Sequence, residues 1–405
     1  MRFSILLLAL LLSACNQSSN QQESNPVVTT AAPVQAEGSQ QYANIQAAKE
    51  AMPGKAHYDR ACIACHDGAV KRAPQREMIG LMTPESVLHT ITKGVMRDEA
   101  QSLTAQEKRE VAEYISGVAL GGELMPLPAC DNKSVTLASS SSTNWGIQPE
   151  NTRTITTEVA GISSTNITKL MTKWAIAFPD SSRVRSQPTF AGDQIFVGSH
   201  SGIVYSLDRD TGCATWSFIA SAEVRTGITY STSGPDPMVF FGDVIGNVYG
   251  LNANTGEKMW RTRADDHPNA TITGTPSLNN NMLYVPVSSL EVSLAVNPDY
   301  ECCTFRGSVT AMNATTGEIQ WKTFTIEEEP AVTGQNTVGT NIVGPSGAVV
   351  WNSPSIDVIN NQLYVGTGEN MSSPASLTSD AMLAMDLDSG KLNWVFQATA
   401  NDVWN

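Results

Sequence analysis

Basic side chains are scarce in this chain. Its 25 Lys and Arg face 39 Asp and Glu, a net charge of −14, which excludes nucleic acid and anionic membrane surfaces as partners and favours solubility. Long hydrophobic runs are missing too. The apolar stretch in MRFSILLLALLLSAC is too short to span a bilayer, and it has one positive charge before it and small residues ahead of a cysteine, the pattern of an export signal. LSAC matches a bacterial lipobox, so residues 1–14 are expected to be a lipoprotein signal peptide cleaved before Cys15, with lipid on its sulfur. An ordinary secretory signal with an incidental cysteine is the alternative. Large apolar side chains are nearly absent from 15–44, which cannot bury enough surface to offset ordering and reads as a flexible tether. The expected location is the periplasmic face or cell envelope, with the membrane reached through the lipid.

The remaining length suits two domains: a small one over 45–125, a linker over 126–143 and a larger one over 144–405. Cysteine is sparse, seven in the chain, so its clustering is informative. CIACH, Cys62 to His66, has the spacing of a c-type haem attachment site: two thiols can each form a thioether to the porphyrin, and His66 then lies under the iron. A thioredoxin-like pair is the rival for C-x-x-C alone, but the following histidine favours haem. Zinc would need a second ligand pair, and none is nearby. Met78 and Met82 lie in helical stretches and read as core. Met96 sits on an irregular segment before a helix signalled by Leu103-Thr104, with Val111, Ala112, Tyr114 and Ile115 on its apolar face. That arrangement resembles a small all-α class I cytochrome c, and implies iron ligation by His66 and Met96.

The larger domain repeats. LDRDTGCATW ends at Trp216, LNANTGEKMW at Trp260, MNATTGEIQW at Trp321 and MDLDSGKLNW at Trp394, each with Gly four positions before the Trp, and Trp174 supplies an earlier station. Alternating strand pairs such as QIFVGSHSGIVYSL precede the turns. This period, lengthened by inserted loops, predicts a mainly β fold, a β-propeller with four strands per blade; a β-sandwich with chance turn similarity is the alternative. Adjacent Cys302 and Cys303, in PDYECCTFRG, raise a further question. A trans peptide holds neighbouring Cα atoms about 3.8 Å apart, while disulfides span roughly 4.4–6.8 Å, so a bond between them would be strained and reducible. Two buried free thiols, or one of them paired elsewhere, are the alternative.

The repeat resembles the tryptophan-docking motif of pyrroloquinoline quinone (PQQ) dehydrogenases, a family built on an eight-bladed propeller, and SQPTFAGDQIFVGSHSGIVYSLD, ITGTP, LYVPVSSLEV and ECCTFRGSV are most similar to quinohaemoprotein polyvinyl alcohol dehydrogenases. The resemblance implies oxidation of alcohols, polymeric ones included, by PQQ and calcium, with electrons passing to haem c and on to a downstream cytochrome or other periplasmic acceptor. It implies a Cys302–Cys303 disulfide ring on one face of PQQ and Trp351 on the other. With Cys15 lipidated and Cys62 and Cys65 on haem, Cys130 and Cys213 then form the other pair. It further implies calcium at Glu291, with Glu369 or Asn370 and Asn405 in the set, and PQQ contacts from Arg225, Arg306, Thr273 and Ser289. Two departures stand out. In methanol dehydrogenases the cysteine pair precedes the first of these arginines, whereas here it follows Glu291. Asn405 also stands where those enzymes place an aspartate base, leaving Asp402 as the candidate. About five Trp stations are present, so the propeller is expected to be incomplete at its C-terminus. The alternative function is a haem-bearing scaffold that has lost PQQ.

Overall fold

The computed structural model describes residues 47–403, apart from 68, 69, 71, 72, 122–126, 132–134, 139–141, 180, 182, 183 and 235. The expected signal peptide, Cys15, the tether and Asn405 lie outside the described residues. Lys49–Asn405 forms one compact unit. No described helix is long and apolar enough to cross a membrane.

The first part is helical: α1 Gly54–Ala61, α2 Ile63–His66, α3 Arg76–Ile79, α4 Pro84–Thr92 and α5 Ala105–Ser116. Helix α5 starts where Thr104 and Glu107 satisfy each other's backbone N–H groups in a capping box, and stops at left-handed Gly117. Its buried Val111, Ala112, Tyr114 and Ile115 pack with Tyr58, Val87, Ile91 and Leu103. Helices α1 and α5 approach so closely that a Cβ at Gly54 would lie 1.9 Å from the Glu110 carbonyl oxygen.

Four antiparallel blades follow. Blade 1 comprises β1 Thr189–Ala191, β2 Gln194–Gly198, β3 Ile203–Asp208 and β4 Ala214–Ile219; blade 2 comprises β5 Thr229–Ser231, β6 Met238–Gly242, β7 Asn247–Asn252 and β8 Lys258–Arg263. Blade 3 holds β9 Ala270–Thr271, β10 Ser277–Asn279, β11 Met282–Ser289, β12 Ser308–Asn313 and β13 Ile319–Phe324. A hairpin, β14 Ala331–Gln335 with β15 Asn341–Gly344, and the short β16 Ser346–Gly347 lead on. Blade 4 is β17 Ser355–Asp357, β18 Gln362–Gly366, β20 Ala381–Asp386 and β21 Leu392–Gln397; β19 Asn370–Ser372 leaves it to pair with β16.

The repeated Trp and Gly meet between blades. Trp174, Trp216, Trp260 and Trp321 lie against Gly212, Gly256, Gly317 and Gly390, the turn glycines of the next blade, all at positive φ. The indole N–H groups of Trp174, Trp216 and Trp260 reach the Arg209, Ala253 and Ala314 carbonyls. Trp174 stands on a segment without strand pairing of its own, so the five Trp stations correspond to four described blades.

Residues 143–151 run along the innermost strands. Tyr230 N donates to Thr143 O, Asn144 Nδ2 to Ser277 Oγ, Asn151 Nδ2 to Ser355 Oγ and Ile356 N to Pro149 O. The helical part touches blades 1 and 2 through Thr83 N donating to Ser221 O and a bridge between Met82 and Ala222.

Candidate functional site

Two places gather the chemistry-bearing residues. In the helical part, α1, α2 and α4 with the segment before α5 enclose an apolar cleft, lined by Cys62, Cys65, His66, Met82, Ile91 and Met96 among others. His66 is buried, and its Nδ1 is 2.6 Å from the Pro74 carbonyl oxygen. An Nδ1–H held this way fixes the tautomer and leaves Nε2 as the lone-pair donor toward the cleft. Burial pushes the Cys62 thiol up to about 11, so the group is protonated. Cys62 and Cys65 are both free of disulfides. Apolar walls, two thiols and an oriented imidazole suit a haem. On the opposite requirement, a sixth ligand, the structure offers two sulfurs: Met82, read from sequence as core, lines the cleft with Met96, while Met78 is buried elsewhere.

The second place is the propeller axis, where the four blades repeat one bonding scheme. Thr189, Thr229 and Ser277 open the innermost strands and donate their hydroxyls to the Ile228, Pro276 and Pro354 carbonyls of the following blade. One step back, Gly227 N donates to Thr275 Oγ1 and Thr275 N to Ser353 Oγ. The scheme makes Arg185, Arg225, Thr273 and Trp351 equivalent, one from each blade, all at the end where an outer strand returns to the axis.

Their environments differ from those of core residues. Trp351 is 62% exposed, although an indole is a large apolar group. Arg225 Nη2 lies 3.0 Å from Glu223 and Arg185 Nη1 3.3 Å from the same carboxylate, with His200 Nε2 at 3.6 Å. Arg225 Nε is buried and has no hydrogen-bond partner among the described residues. Arg185, Glu223 and His200 escaped sequence reading, although RSQPT, RTGIT, TGTPS and WNSPS share one frame.

The loop between β11 and β12 carries Glu291 and the cysteine pair. Cys302 and Cys303 are disulfide-bonded, with their Cα atoms 3.0 Å apart across a cis peptide. Cys303 N donates to Val343 O and Val343 N to Cys302 O, which fastens the pair to β15. Cys130 is joined to Cys213. Ser289 is buried and donates its hydroxyl to the Asn269 carbonyl.

Several expected ligands are committed otherwise. Glu291 is fully buried, and its carboxylate accepts from Tyr300 OH, Thr304 N, Thr304 Oγ1 and Phe305 N. Those are hydrogen donors that a cation would displace, so Glu291 does not fit the calcium role. Asn370 Oδ1 accepts from Ser376 N, while its Nδ2 donates to Ser379 Oγ and the Asp402 carbonyl. Among the described residues no group of three or more His, Cys, Asp or Glu is placed to hold a metal ion. Glu369 is half-buried near Asp380, whose carboxyl is pushed upward by burial and then by the charges of Asp402 and Glu369. Arg306 is turned from the axis: its guanidinium stacks 4.0 Å over Phe324 and bonds the Ile326 and Glu327 carbonyls and Glu329.

Residues 143–405 match the PQQ family, described as the glucose/ethanol/alcohol dehydrogenase β-propeller domain. The chain belongs to that family. Residues 49–115 match the cbb3-type cytochrome c oxidase subunit III family, in agreement with a haem-binding helical part of the PQQ-family chain. Similar curated proteins are the polyvinylalcohol dehydrogenase of a Pseudomonas species, 33% identical over 86% of this chain and 57% of that protein, and the polyvinylalcohol dehydrogenase of Sphingopyxis strain 113P3, 31% identical over 87% and 57%. A solved relative, quinohemoprotein alcohol dehydrogenase from Comamonas testosteroni, superposes with a TM-score of 0.44 and 21% identity, covering 55% of this chain and 36% of that one. The chain thus spans little more than half the length of these curated relatives. For a PQQ-family propeller the axial residues fit a planar polyanion: an exposed indole offers a stacking face, and a guanidinium with a buried, unpartnered N–H offers a charged donor.

Proposed function

We propose that this chain is the haem-bearing, quinone-binding part of an alcohol dehydrogenase. The single observation that carries the reading is the equivalence of Arg225, Thr273 and Trp351 at the axis, with Arg225 Nε buried and unpartnered. In this reading PQQ would be held by Trp351 through stacking, by Arg225 and Arg185 through its carboxylates, by the Thr273 hydroxyl and by the Cys302–Cys303 disulfide. When bound, PQQ supplies two-electron acceptance from an alcohol, and haem c supplies one-electron steps. The protein's part is positional. His66, oriented by Pro74, would hold the haem iron, and a methionine of the cleft lining would supply a further ligand. Asp402, whose side chain is exposed, is the candidate base for the hydroxyl proton. Calcium remains a family expectation without a fitting donor set at Glu291 or Asn370, and no step here depends on it.

The substrate class we propose is secondary alcohols, polymeric ones such as polyvinyl alcohol among them, with a downstream cytochrome or other periplasmic electron acceptor and a lipid anchor on Cys15. A scaffold that had lost PQQ has no use for an exposed indole and an unpartnered guanidinium N–H at equivalent axial positions. The test is titration of the purified protein with PQQ, followed by Trp fluorescence and by dye-linked oxidation of polyvinyl alcohol. Saturable quenching that Trp351→Ala removes and Arg225→Ala weakens about tenfold or more is expected. Unchanged titrations in both variants would remove the axis as the quinone site.

A further inference from the structure

A fully buried carboxylate survives in a fold only when donors replace its water, and Glu291 has a full set of them. Its Oε1 accepts from Tyr300 OH at 3.0 Å, Thr304 N at 2.9 Å and Thr304 Oγ1 at 3.0 Å; its Oε2 accepts from Thr304 N at 3.0 Å and Phe305 N at 2.7 Å. A carboxylate offers about four lone-pair sites, and four donor hydrogens, the Thr304 N–H shared between both oxygens, occupy them and leave none for a cation. The donors also share a position. Tyr300 precedes the cysteine pair, and Thr304 and Phe305 directly follow it.

A second tier supports this set. Asn269 N donates to His267 Nδ1, so the ring's proton sits on Nε2, which donates to Thr304 Oγ1 at 2.9 Å and leaves the Thr304 hydroxyl hydrogen for Glu291. Asn269 Nδ2 in turn donates to Tyr300 OH. Burial, with the Glu291 charge next, holds the Tyr300 phenol far above its ordinary value, so it stays a donor. The loop needs such fastening: between β11 and β12 it runs from 290 to 307, where the matching turns of blades 1 and 2 span only 199–202 and 243–246.

We propose that Glu291 is the anchor of the Cys302–Cys303 loop, a positioning residue that fixes the disulfide from one side while Val343 fixes it from the other, and that it is not a metal ligand. That the disulfide faces a quinone rests on the function proposed above; the anchor itself does not. In Glu291→Gln an NH2 group would face backbone N–H donors, and the loop should loosen.

The experiment measures the rate at which dithiothreitol opens each disulfide in the purified protein, by timed alkylation and peptide mapping, and the calcium dependence of the thermal midpoint. Opening of Cys302–Cys303 should quicken roughly tenfold in Glu291→Gln and a few-fold in Tyr300→Phe, with Cys130–Cys213 unchanged as the internal control. Millimolar calcium should move the midpoints of wild type and Glu291→Gln equally. Should Glu291→Gln fail to fold, the milder Tyr300→Phe decides alone. Rates unchanged in the variants that fold, or a calcium-induced rise in the wild-type midpoint that Glu291→Gln abolishes, would overturn the proposal. No quinone enters these measurements, so failure of PQQ to bind near Trp351 would leave the result standing.

Discussion

Met82 and Met96 are the two sulfurs lining the proposed haem cleft, and their difference lies in what else each must do. Met82 is bridged to Ala222 of the propeller, whereas Met96 lies in the turns between α4 and α5, its N–H on the Thr90 carbonyl and its own carbonyl accepting from Ala100 N. We propose Met96 as the ligand, because it lies outside the contact with the propeller. Met96→Ala should therefore convert the ferric haem to high spin or to a replacement ligand and lower the potential by on the order of 0.1 V, a fraction of the roughly 0.8 V that axial ligands span. Met82→Ala should leave the spectrum as it was. The reverse pattern in visible spectra and redox titrations would give the iron to Met82. CIACH was legible because its chemistry is local, five consecutive residues. Met82 was not, since only tertiary packing brings it to the cleft. Arg306 failed for the same reason: its sequence neighbourhood matched, but Phe324 and the carbonyls after β13 claim the guanidinium.

At the scale of elements the blades were readable because each blade's Trp follows its own turn Gly at a fixed offset, and each turn Gly receives the Trp of the station before it. Gly317 has φ +73°, and a Cβ there would stand 2.5 Å from Trp260 Cε3. Gly317→Ala should thus cost about 2–4 kcal/mol, overpacking plus left-handed strain. Gly161→Ala, at φ +64° with nothing within 4 Å, should cost only about 1 kcal/mol. Equal shifts of the two in urea unfolding would deny the docking contact its weight. The inserted loops of blade 3 were beyond sequence reading, because their course is set by Glu291, Val343 and other partners far along the chain. Helix α5 gives a pH prediction. The Arg60 hydrogen bond, with those from the Thr104 cap, holds Glu107 down to about 2, against an ordinary 4.5. A carboxylate with a depressed folded value stabilises the fold above its unfolded value and loses that contribution as pH falls from about 4.5 toward 2. Glu107→Gln should flatten the acid decline of the helical part's thermal midpoint in that window. A decline identical to wild type would mean that other carboxylates set it.

At the largest scale, stability depends on how the chain's distant segments are joined. Residues 127–130 run alongside β4: Cys130 N donates to Ala214 O, Ala214 N donates to Pro128 O, and Leu127 packs with Ile195, Val197 and Tyr205. The Cys130–Cys213 disulfide locks this contact across a sequence separation of 83 residues. Few of these contacts are strong alone, since one short edge contact must hold the stretch that enters the propeller. Closing a loop of that length in the unfolded chain removes much of its entropy, so Cys213→Ser should cost about 2–5 kcal/mol. The loss should fall on blade 1, where Trp174 also docks, and not on the haem cleft, whose core of Tyr58, Val111, Tyr114 and neighbours contains neither cysteine. The check is parallel: Trp fluorescence for the propeller and Soret absorbance for the haem, in the same thermal ramp of Cys213→Ser and wild type. A lower fluorescence midpoint with an unmoved Soret midpoint is expected. Should both fall together, the helical part and blade 1 unfold as one cooperative body, joined through Thr83, Ser221, Met82 and Ala222; should neither fall, the contacts along β4 hold the segment without the covalent bond.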